Sequence, residues 1–423
     1  MAKENPKIAV ISFPGTNCEL ETARAVERNG MTAELFRWNE GVSFTKFDGA
    51  IIAGGFSYED RGRSGLIASK DPLIEEVYRL AKRGKVVLGI CNGAQVLVET
   101  GLVPNFEFGK SVLALTRNRR VKDGVVQGTG FYNAWVHLKP GSDVRNAFNQ
   151  FEGTIRIPMA HAEGRYFSND PHLLEQLITN GQNAFVYCDE KGDVIPDFPV
   201  NPNGSVLNLA GVTNPAGNVM SLMPHPERTA AGDPVFQSIH QWITGEVRKP
   251  AAKKFSAKTP SSAILPKPKV DVELFVALKI TDNEALSVGA AAGMELQKFR
   301  WFGMKFSGDN QDLEKIIRSG ELLNAEKETV WIKRGDEIVK FDKGKGFLPA
   351  ELALPENKVL ASEREKSLDE ARVSSINKTL GRNLVKNLNS GVIWGAEVSK
   401  AEFDKVVRNN FFHHPAAADL IEI

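Results

Sequence analysis

The residue in this sequence best suited to covalent chemistry is Cys91. It follows the apolar run Val86–Ile90, which is typical of a buried strand, and it precedes residues 94–99, which have the composition of a helix. Glycines stand two residues before and two residues after it, so the turn reads Gly-x-Cys-x-Gly, the thiol form of the nucleophile elbow. An elbow points a helix N-terminus at the sulfur, which favours the thiolate. The pattern predicts a nucleophile, and the alternative is a buried structural cysteine.

A cysteine nucleophile needs a base and a carboxylate that orients the base. His225 and Glu227 stand two residues apart, just after the apolar segment 219–223. In an extended chain such residues project to the same side, so Glu227 can hold one imidazole nitrogen while the other faces Cys91. His161 and Glu163 have the same spacing. Spacing alone therefore leaves two possible bases.

Longer motifs around these residues point to a family. They are Gly-Gly-Phe-Ser-Tyr at 54–58, Ile-Pro-Met-Ala-His-Ala-Glu-Gly-Arg-Tyr at 157–166, and Met-Pro-His-Pro-Glu-Arg at 223–228. With the elbow they resemble class I glutamine amidotransferases, and among these the PurQ-type glutaminase subunits of phosphoribosylformylglycinamidine synthase, an enzyme of de novo purine synthesis. The resemblance covers residue 7 to about residue 247, and it selects His225 and Glu227 as the partners of Cys91.

The resemblance also implies roles for residues around the triad. Attack on an amide creates an oxyanion that needs N–H donors, and the family's donors correspond to Gly55 and the backbone amide of Asn92. Gln95, one turn into the elbow helix, would help hold the substrate glutamine. His161 and Arg165 would line the same pocket.

One stretch departs from the family pattern. After the Tyr of the diglycine motif the family commonly continues with Gly-Asp, whereas this chain has Glu59, Asp60 and Arg61. The resemblance therefore does not define the shape of this loop.

The implied reaction hydrolyses glutamine and delivers the ammonia to a separate, ATP-dependent large synthase subunit. The sequence contains no Gly-x-x-x-x-Gly-Lys-Ser/Thr loop. No cofactor is therefore expected in this chain, and ATP and magnesium are expected in the partner. Two alternatives are a structural scaffold of the synthase complex and an elbow-cysteine hydrolase of the same superfamily. The intact Cys91, His225 and Glu227 set counts against the first, and the length of the motifs counts against the second.

The first part of the chain has the pattern of an α/β fold. Apolar strand-like runs alternate with helical segments, which predicts a doubly wound, mostly parallel sheet over residues 1–247. Residues 248–269, rich in Pro, Lys, Ala and Ser, are predicted to be a linker.

The last part of the chain predicts a smaller α+β, ferredoxin-like region, built as a tandem repeat. One unit is placed at 270–335 and a related one at 336–423, with a long helix at 368–388 in the second. Segments 272–279 and 410–423 resemble the start and end of the small PurS-type subunit of the same synthase.

Composition limits the partners and the compartment. The net charge of +1 gives no electrostatic reason to expect nucleic acid or membrane as a partner. Three cysteines do not make a disulfide framework, and no signal-peptide core or long apolar span occurs, so a cytoplasmic protein is expected. His413 and His414 lack ligands at metal-binding spacing, and no metal site is predicted.

Overall fold

The structure, a computed structural model, describes residues 5–40, 43–105, 107, 109–247, 251, 254–255 and 264–423. The chain divides into two compact units, Met1–Pro260 and Ser261–Ile423. No helix within the described residues is long and apolar enough to cross a membrane.

The first unit is a sheet with helices packed on it. Its described strands are β1 (Lys7–Ser12), β2 (Thr32–Arg37), β3 (Gly49–Ile52), β4 (Val86–Ile90), β5 (Ala114–Thr116), β6 (Arg119–Lys122), β7 (Val125–Thr129), β8 (Tyr132–Pro140), β9 (Ile155–His161), β10 (Arg165–Phe167), β11 (Phe185–Cys188), β12 (Leu209–Thr213) and β13 (Val219–Leu222). Its described α-helices are α1 (Glu19–Arg28), α2 (Leu66–Ser69), α3 (Leu73–Lys82), α4 (Asn92–Glu99), α5 (Pro171–Asn180) and α6 (Asp233–Thr244).

The main sheet has nine strands in the order β2-β1-β3-β4-β13-β12-β11-β8-β9. The pairings from β2 to β13 are parallel, and those from β13 to β9 are antiparallel. All residues of β3 and β4 are buried, as expected for parallel strands covered on both faces. The predicted α/β class is thus confirmed, and the sheet continues beyond its parallel part through antiparallel strands.

This topology positions the candidate site. β4 and β13 are neighbours, and both end at the same edge of the sheet because they run parallel. The elbow follows β4 at once, and the His-Pro-Glu segment follows β13. Residues more than a hundred positions apart in sequence therefore lie next to each other.

The second unit is one mixed sheet with four described helices. Its described strands are β14 (Ile264–Leu265), β15 (Val272–Leu278), β16 (Gln297–Phe306), β17 (Glu328–Arg334), β18 (Glu337–Asp342), β19 (Gly346–Pro349), β20 (Asn357–Glu363), β21 (Val385–Ala396) and β22 (Ala418–Ile421). Its described α-helices are α7 (Asn283–Ala292), α8 (Asn310–Arg318), α9 (Ser367–Leu380) and α10 (Lys400–Arg408).

The order strand-helix-strand-helix-strand occurs twice in this unit, as β15-α7-β16-α8-β17 and as β20-α9-β21-α10-β22. The sheet order is β14-β22-β20-β21-β16-β15-β17-β18-β19, so the two halves join through the antiparallel pair β16 and β21. The repeated order agrees with the tandem arrangement expected from the sequence. The proposed division at 335/336 falls in the turn of the β17–β18 hairpin.

Two sequence predictions for this region differ from the structure. The helix predicted at 368–388 ends at Leu380, because Gly381 adopts a left-handed conformation with φ 66° and terminates it. Strand β21 then begins at Val385 and pairs along β16. Ile264 and Leu265, inside the predicted linker, form β14 against β22. Residues 248–250, 252–253 and 256–263 of that linker lie outside the described residues.

Candidate active site

Cys91 occupies a strained turn between β4 and α4. Its φ is 50° and its ψ is −106°, a sparsely populated backbone conformation that costs a non-glycine residue about 1–3 kcal/mol. A Cβ at Gly89 would lie 2.3 Å from the carbonyl oxygen of Gly93, and a Cβ at Gly93 would lie 2.0 Å from that of Ile52. Both elbow positions are therefore sterically restricted to glycine. The Cys91 Sγ lies 3.9 Å from the carbonyl oxygen of Ala160.

His225 and Glu227 form a buried pair beside this elbow. The His225 Nδ1 lies 2.6 Å from Glu227 Oε1, and each residue is only 2% exposed. Burial by itself would lower the pKa of His225, but the charges of Glu227 and Cys91 outweigh it and hold that pKa well above its usual value. The arrangement favours an imidazolium at His225, beside the Glu227 carboxylate and the elbow, which suits a proton donor to a leaving group.

His161 and Glu163 do not form such a pair. Glu163 Oε2 accepts from the backbone of Ser64, while its carbonyl accepts from Gln95 Nε2 at 2.6 Å. β9 ends at His161, so the alternation that would align the two side chains is lost. Burial, and then the charge of His225, lowers the pKa of His161 to about 3. The structure thus favours His225 as the base.

Asn92 ties the diglycine loop to the elbow helix. Its Oδ1 accepts from the backbone N–H of Ser57 at 3.0 Å, and its Nδ2 donates to Asp60 Oδ1 at 3.1 Å and to Gln95 Oε1 at 3.0 Å. Its backbone amide opens α4, where N–H groups lack acceptors within the helix. Gly55 has φ 148°, and a Cβ there would lie 2.7 Å from the amide nitrogen of Asn17. The two predicted oxyanion donors therefore belong to one connected loop and helix start.

Arg165, the third predicted pocket residue, contacts Arg117 and Phe167. Its Nε donates to the carbonyl oxygen of Arg117 at 3.1 Å, and its guanidinium stacks over the ring of Phe167. Gln95 and His161, by contrast, are linked to Glu163 and to the surroundings of His225. The contacts of Gln95 and His161 thus connect these two residues to the triad's neighbourhood.

Cys18 lacks the elbow glycines and is interpreted from the sequence as a structural cysteine near a helix start, yet it lies beside the base. Arg228 donates to its Sγ at 3.0 Å, and a Cβ on Gly54 would lie 3.4 Å from that sulfur and 3.0 Å from His225 Cε1. Potential ligand atoms of Cys18, His225 and Glu227 come within 4.8 Å of one another, which no other set of three such side chains does within the described residues. A cation could be held there only by displacing the Arg228 contact and the His225–Glu227 hydrogen bond.

In the loop that differs from the family pattern, residues 59–61, the side chain of Asp60 contacts Asn92. Tyr58, Glu59 and Asp60 all have left-handed backbones, with φ of 51°, 57° and 54°. Glu59 points outward and pairs with Arg61 at 2.6 Å, while Asp60 contacts Asn92. Glu59 therefore occupies, at a cost in strain, the position where the family commonly has glycine.

We expect Glu59→Gly to stabilise the protein by about 1 kcal/mol, because glycine adopts this backbone without steric cost. The lost ion pair with Arg61 is exposed on the Glu59 side and contributes little. Urea unfolding of wild type and variant measures the difference. Glu59→Ala is the control, since it removes the same ion pair and keeps the strain; equal stability of the Gly and Ala variants would contradict the interpretation.

The side-chain carboxyl group of Asp60 binds its proton more tightly than an ordinary aspartate does. Burial, and then the charge of Glu163, raises its pKa to about 7. A carboxyl whose pKa is higher in the folded state binds more protons folded than unfolded, so its contribution to stability falls as pH rises from about 4 to about 7.

Asp60→Asn should therefore be more stable than wild type at pH 8 by about 1–2 kcal/mol, after discounting for partial solvent screening, and the difference should shrink toward pH 5. Thermal or urea unfolding at both pH values tests this. Glu59→Gln, which neutralises an adjacent exposed carboxylate, should show no comparable change with pH. A constant difference across pH for Asp60→Asn would exclude the titration as its cause.

Comparisons with known proteins show the family of the chain. Residues 5–256 match the family described as CobB/CobQ-like glutamine amidotransferase domain. The chain is 47% identical over 228 residues to phosphoribosylformylglycinamidine synthase subunit PurQ of Methanothrix thermoacetophila, covering 52% of this chain and 86% of that protein. It is 41% identical over 247 residues to the PurQ subunit of Pyrococcus furiosus, covering 56% of this chain and 98% of that protein. Among solved structures it is similar to PurLQS from Thermotoga maritima, at 32% identity and a TM-score of 0.44, over 56% of this chain and 99% of that one.

Proposed function

Since the chain belongs, through residues 5–256, to the family of CobB/CobQ-like glutamine amidotransferase domains, we propose that its first unit uses Cys91, His225 and Glu227 to hydrolyse glutamine. The family confirms the prediction of a glutamine amidotransferase. The PurQ relatives support its assignment as the glutaminase subunit of phosphoribosylformylglycinamidine synthase, in purine biosynthesis. The observation that carries the catalytic assignment is the buried 2.6 Å His225–Glu227 pair next to a nucleophile elbow.

The chemistry follows from these positions. The Cys91 thiolate attacks the side-chain amide carbon of glutamine, and the backbone amides of Gly55 and Asn92 stabilise the resulting oxyanion. The His225 imidazolium gives its proton to the departing ammonia, which leaves a thioester. His225, now neutral, takes a proton from water as the water attacks the thioester, and glutamate leaves. Glu227 keeps the imidazole oriented and stabilises its charge throughout.

The ammonia requires an acceptor outside this chain. The relatives are named as subunits of the synthase, which supports another synthase subunit as the partner. We propose that this partner is the ATP-dependent large subunit and that ATP and magnesium bind there and not in this chain. The second unit, with its repeated strand-helix order, would act as a docking module resembling the small synthase subunit. The cytoplasm is the expected compartment, because all three cysteines are free.

The test is ammonia release from glutamine by the full chain, with and without an ATP-dependent synthase subunit and its nucleotide substrates. Wild type should be active, with activity rising when the synthase is added, and Cys91→Ala should be inactive. Cys188→Ala is a matched control, because Cys188 is also buried and burial raises its pKa to about 11, so it stays a thiol. Absence of activity under every condition would favour a scaffold, and turnover of other substrates without the synthase would favour a hydrolase.

A further inference from the structure

The side chain of Asn118 has a fixed orientation. The backbone N–H of Gly164 donates to Asn118 Oδ1 at 3.0 Å, and a backbone N–H can only donate. The atom facing Gly164 must therefore be the amide oxygen, and the opposite atom must be the NH₂ group. Asn118 is only 1% exposed, and its backbone N–H is bonded to the carbonyl oxygen of Ala162 at 2.8 Å, so the residue is held from both ends.

This orientation determines the tautomer of His161. Asn118 Nδ2 lies 2.6 Å from the carbonyl oxygen of His161 and 3.1 Å from its Nδ1. Since the amide nitrogen donates, Nδ1 must accept and carries no hydrogen. The ring is buried and stays neutral near neutral pH, because burial and the charge of His225 lower its pKa to about 3. The single ring hydrogen therefore lies on Nε2.

The Nε2–H group is a donor without an acceptor. His161 is 4% exposed, and its Nε2 is buried with no hydrogen-bond partner within the described residues. Gly164 packs against the ring so closely that a Cβ there would lie 2.1 Å from Cε1, so the ring has little freedom to turn. A buried unpaired donor costs free energy, and in a native structure it calls for an explanation.

The strand that ends at His161 lies beside the reaction centre. The carbonyl oxygen of Ala160, the residue before His161, is 3.9 Å from Cys91 Sγ, and the carbonyl oxygen of Pro158 accepts from the backbone of His225 at 2.8 Å. Strand β9 thus runs along the triad. We propose that Asn118 is a positioning residue that fixes the His161 tautomer, so that His161 offers a neutral Nε2–H donor to an oxygen atom of the bound glutamine. This inference rests on the glutaminase function proposed above.

The tautomer can be measured without reference to activity. In the full chain labelled with ¹⁵N-histidine, the His161 signals, assigned by their loss in His161→Gln, should show a protonated Nε2 and a bare Nδ1 between about pH 5 and pH 8. The charged group acting on the ring, His225, favours the neutral form throughout. In Asn118→Asp the carboxylate cannot donate to Nδ1, so hydrogen should appear there. A protonated Nδ1 in wild type, or a ring titrating near pH 6.5, would overturn the proposal.

Kinetics test the donor itself. His161→Gln keeps an N–H group near the Nε2 position, whereas His161→Met has similar length and no donor. We expect Met to lower kcat/KM for glutamine about 10- to 100-fold, mainly through KM, and Gln to stay within about 3-fold of wild type. Equal losses in the two variants, with both folded by thermal melting, would refute the donor role. If wild type releases no ammonia, the glutaminase proposal is refuted. The NMR measurement of which His161 nitrogen carries the hydrogen would still test the role of Asn118.

Discussion

Replacing Glu227 by Gln is expected to lower kcat for glutamine hydrolysis by about 10³- to 10⁴-fold, the range known for comparable changes in hydrolase triads. The carboxylate accepts from His225 Nδ1 at 2.6 Å and is itself buried, so its charge acts on the imidazole with little screening. A neutral amide can present either its oxygen or its NH₂ group, and it no longer offsets the burial that lowers the His225 pKa. Steady-state ammonia release measures the loss.

The chain supplies a matched control for this change. His240 Nδ1 and Glu246 Oε1 are 3.7 Å apart in a pair that is exposed on the Glu246 side, so Glu246→Gln makes the same substitution outside the site. It should leave kcat within about 2-fold of wild type, because exposed ion pairs contribute little. A comparable kcat for Glu227→Gln and wild type would show that Glu227 does not orient the base.

Cys91, His225 and Glu227 could be proposed as a catalytic set from the sequence because the signals that mark them are local. The elbow is defined by five consecutive residues, and the spacing of His225 and Glu227 sets their common direction. The choice between His225 and His161 was not accessible from spacing, since it depends on where β9 ends and on which carboxylate the fold brings to which ring. The family resemblance selected His225, and the hydrogen bond between His225 and Glu227 favours the same choice on physical grounds.

Asn118 and Cys18 show why other parts of the site remain hidden in the sequence. Asn118 is 43 positions from His161, and its role depends on the pairing of β5 with β10, which places the two chain segments side by side. Cys18 is 210 positions from Arg228 and reaches it only because β1 and β13 belong to one sheet. No local pattern predicts either contact.

The second unit shows the same division between local and long-range signals. Helices α7 and α9 each end one residue before a glycine with a left-handed backbone, Gly293 and Gly381. Glycine is a local stop signal, but the helix predicted at 368–388 ran past Gly381. The first half of β21 is largely polar, and it forms a strand because it pairs with β16, with one register shift between Val385 and Asn387. Pairing between distant strands there outweighs local propensity.

Substituting Gly93 by Ala is expected to destabilise the first unit by about 3 kcal/mol or more, with loss of glutaminase activity. The new methyl group would lie 2.0 Å from the carbonyl oxygen of Ile52, inside a pair of neighbouring parallel strands. Because the clash is with backbone rather than with a flexible side chain, the elbow and β3 must separate, and a closely packed interior transmits that shift. Urea unfolding followed by circular dichroism measures the change.

Gly344→Ala is the control for this prediction. Its backbone is not left-handed, and the nearest atom to the added methyl group would be Asp342 Oδ1 at 3.6 Å, an ordinary contact. That variant should unfold within about 0.5 kcal/mol of wild type and keep its activity. An equally small change in the free energy of unfolding for Gly93→Ala would contradict the prediction. It would show that the elbow can accommodate a side chain at this position, so that Gly93 is not required for the turn at Cys91.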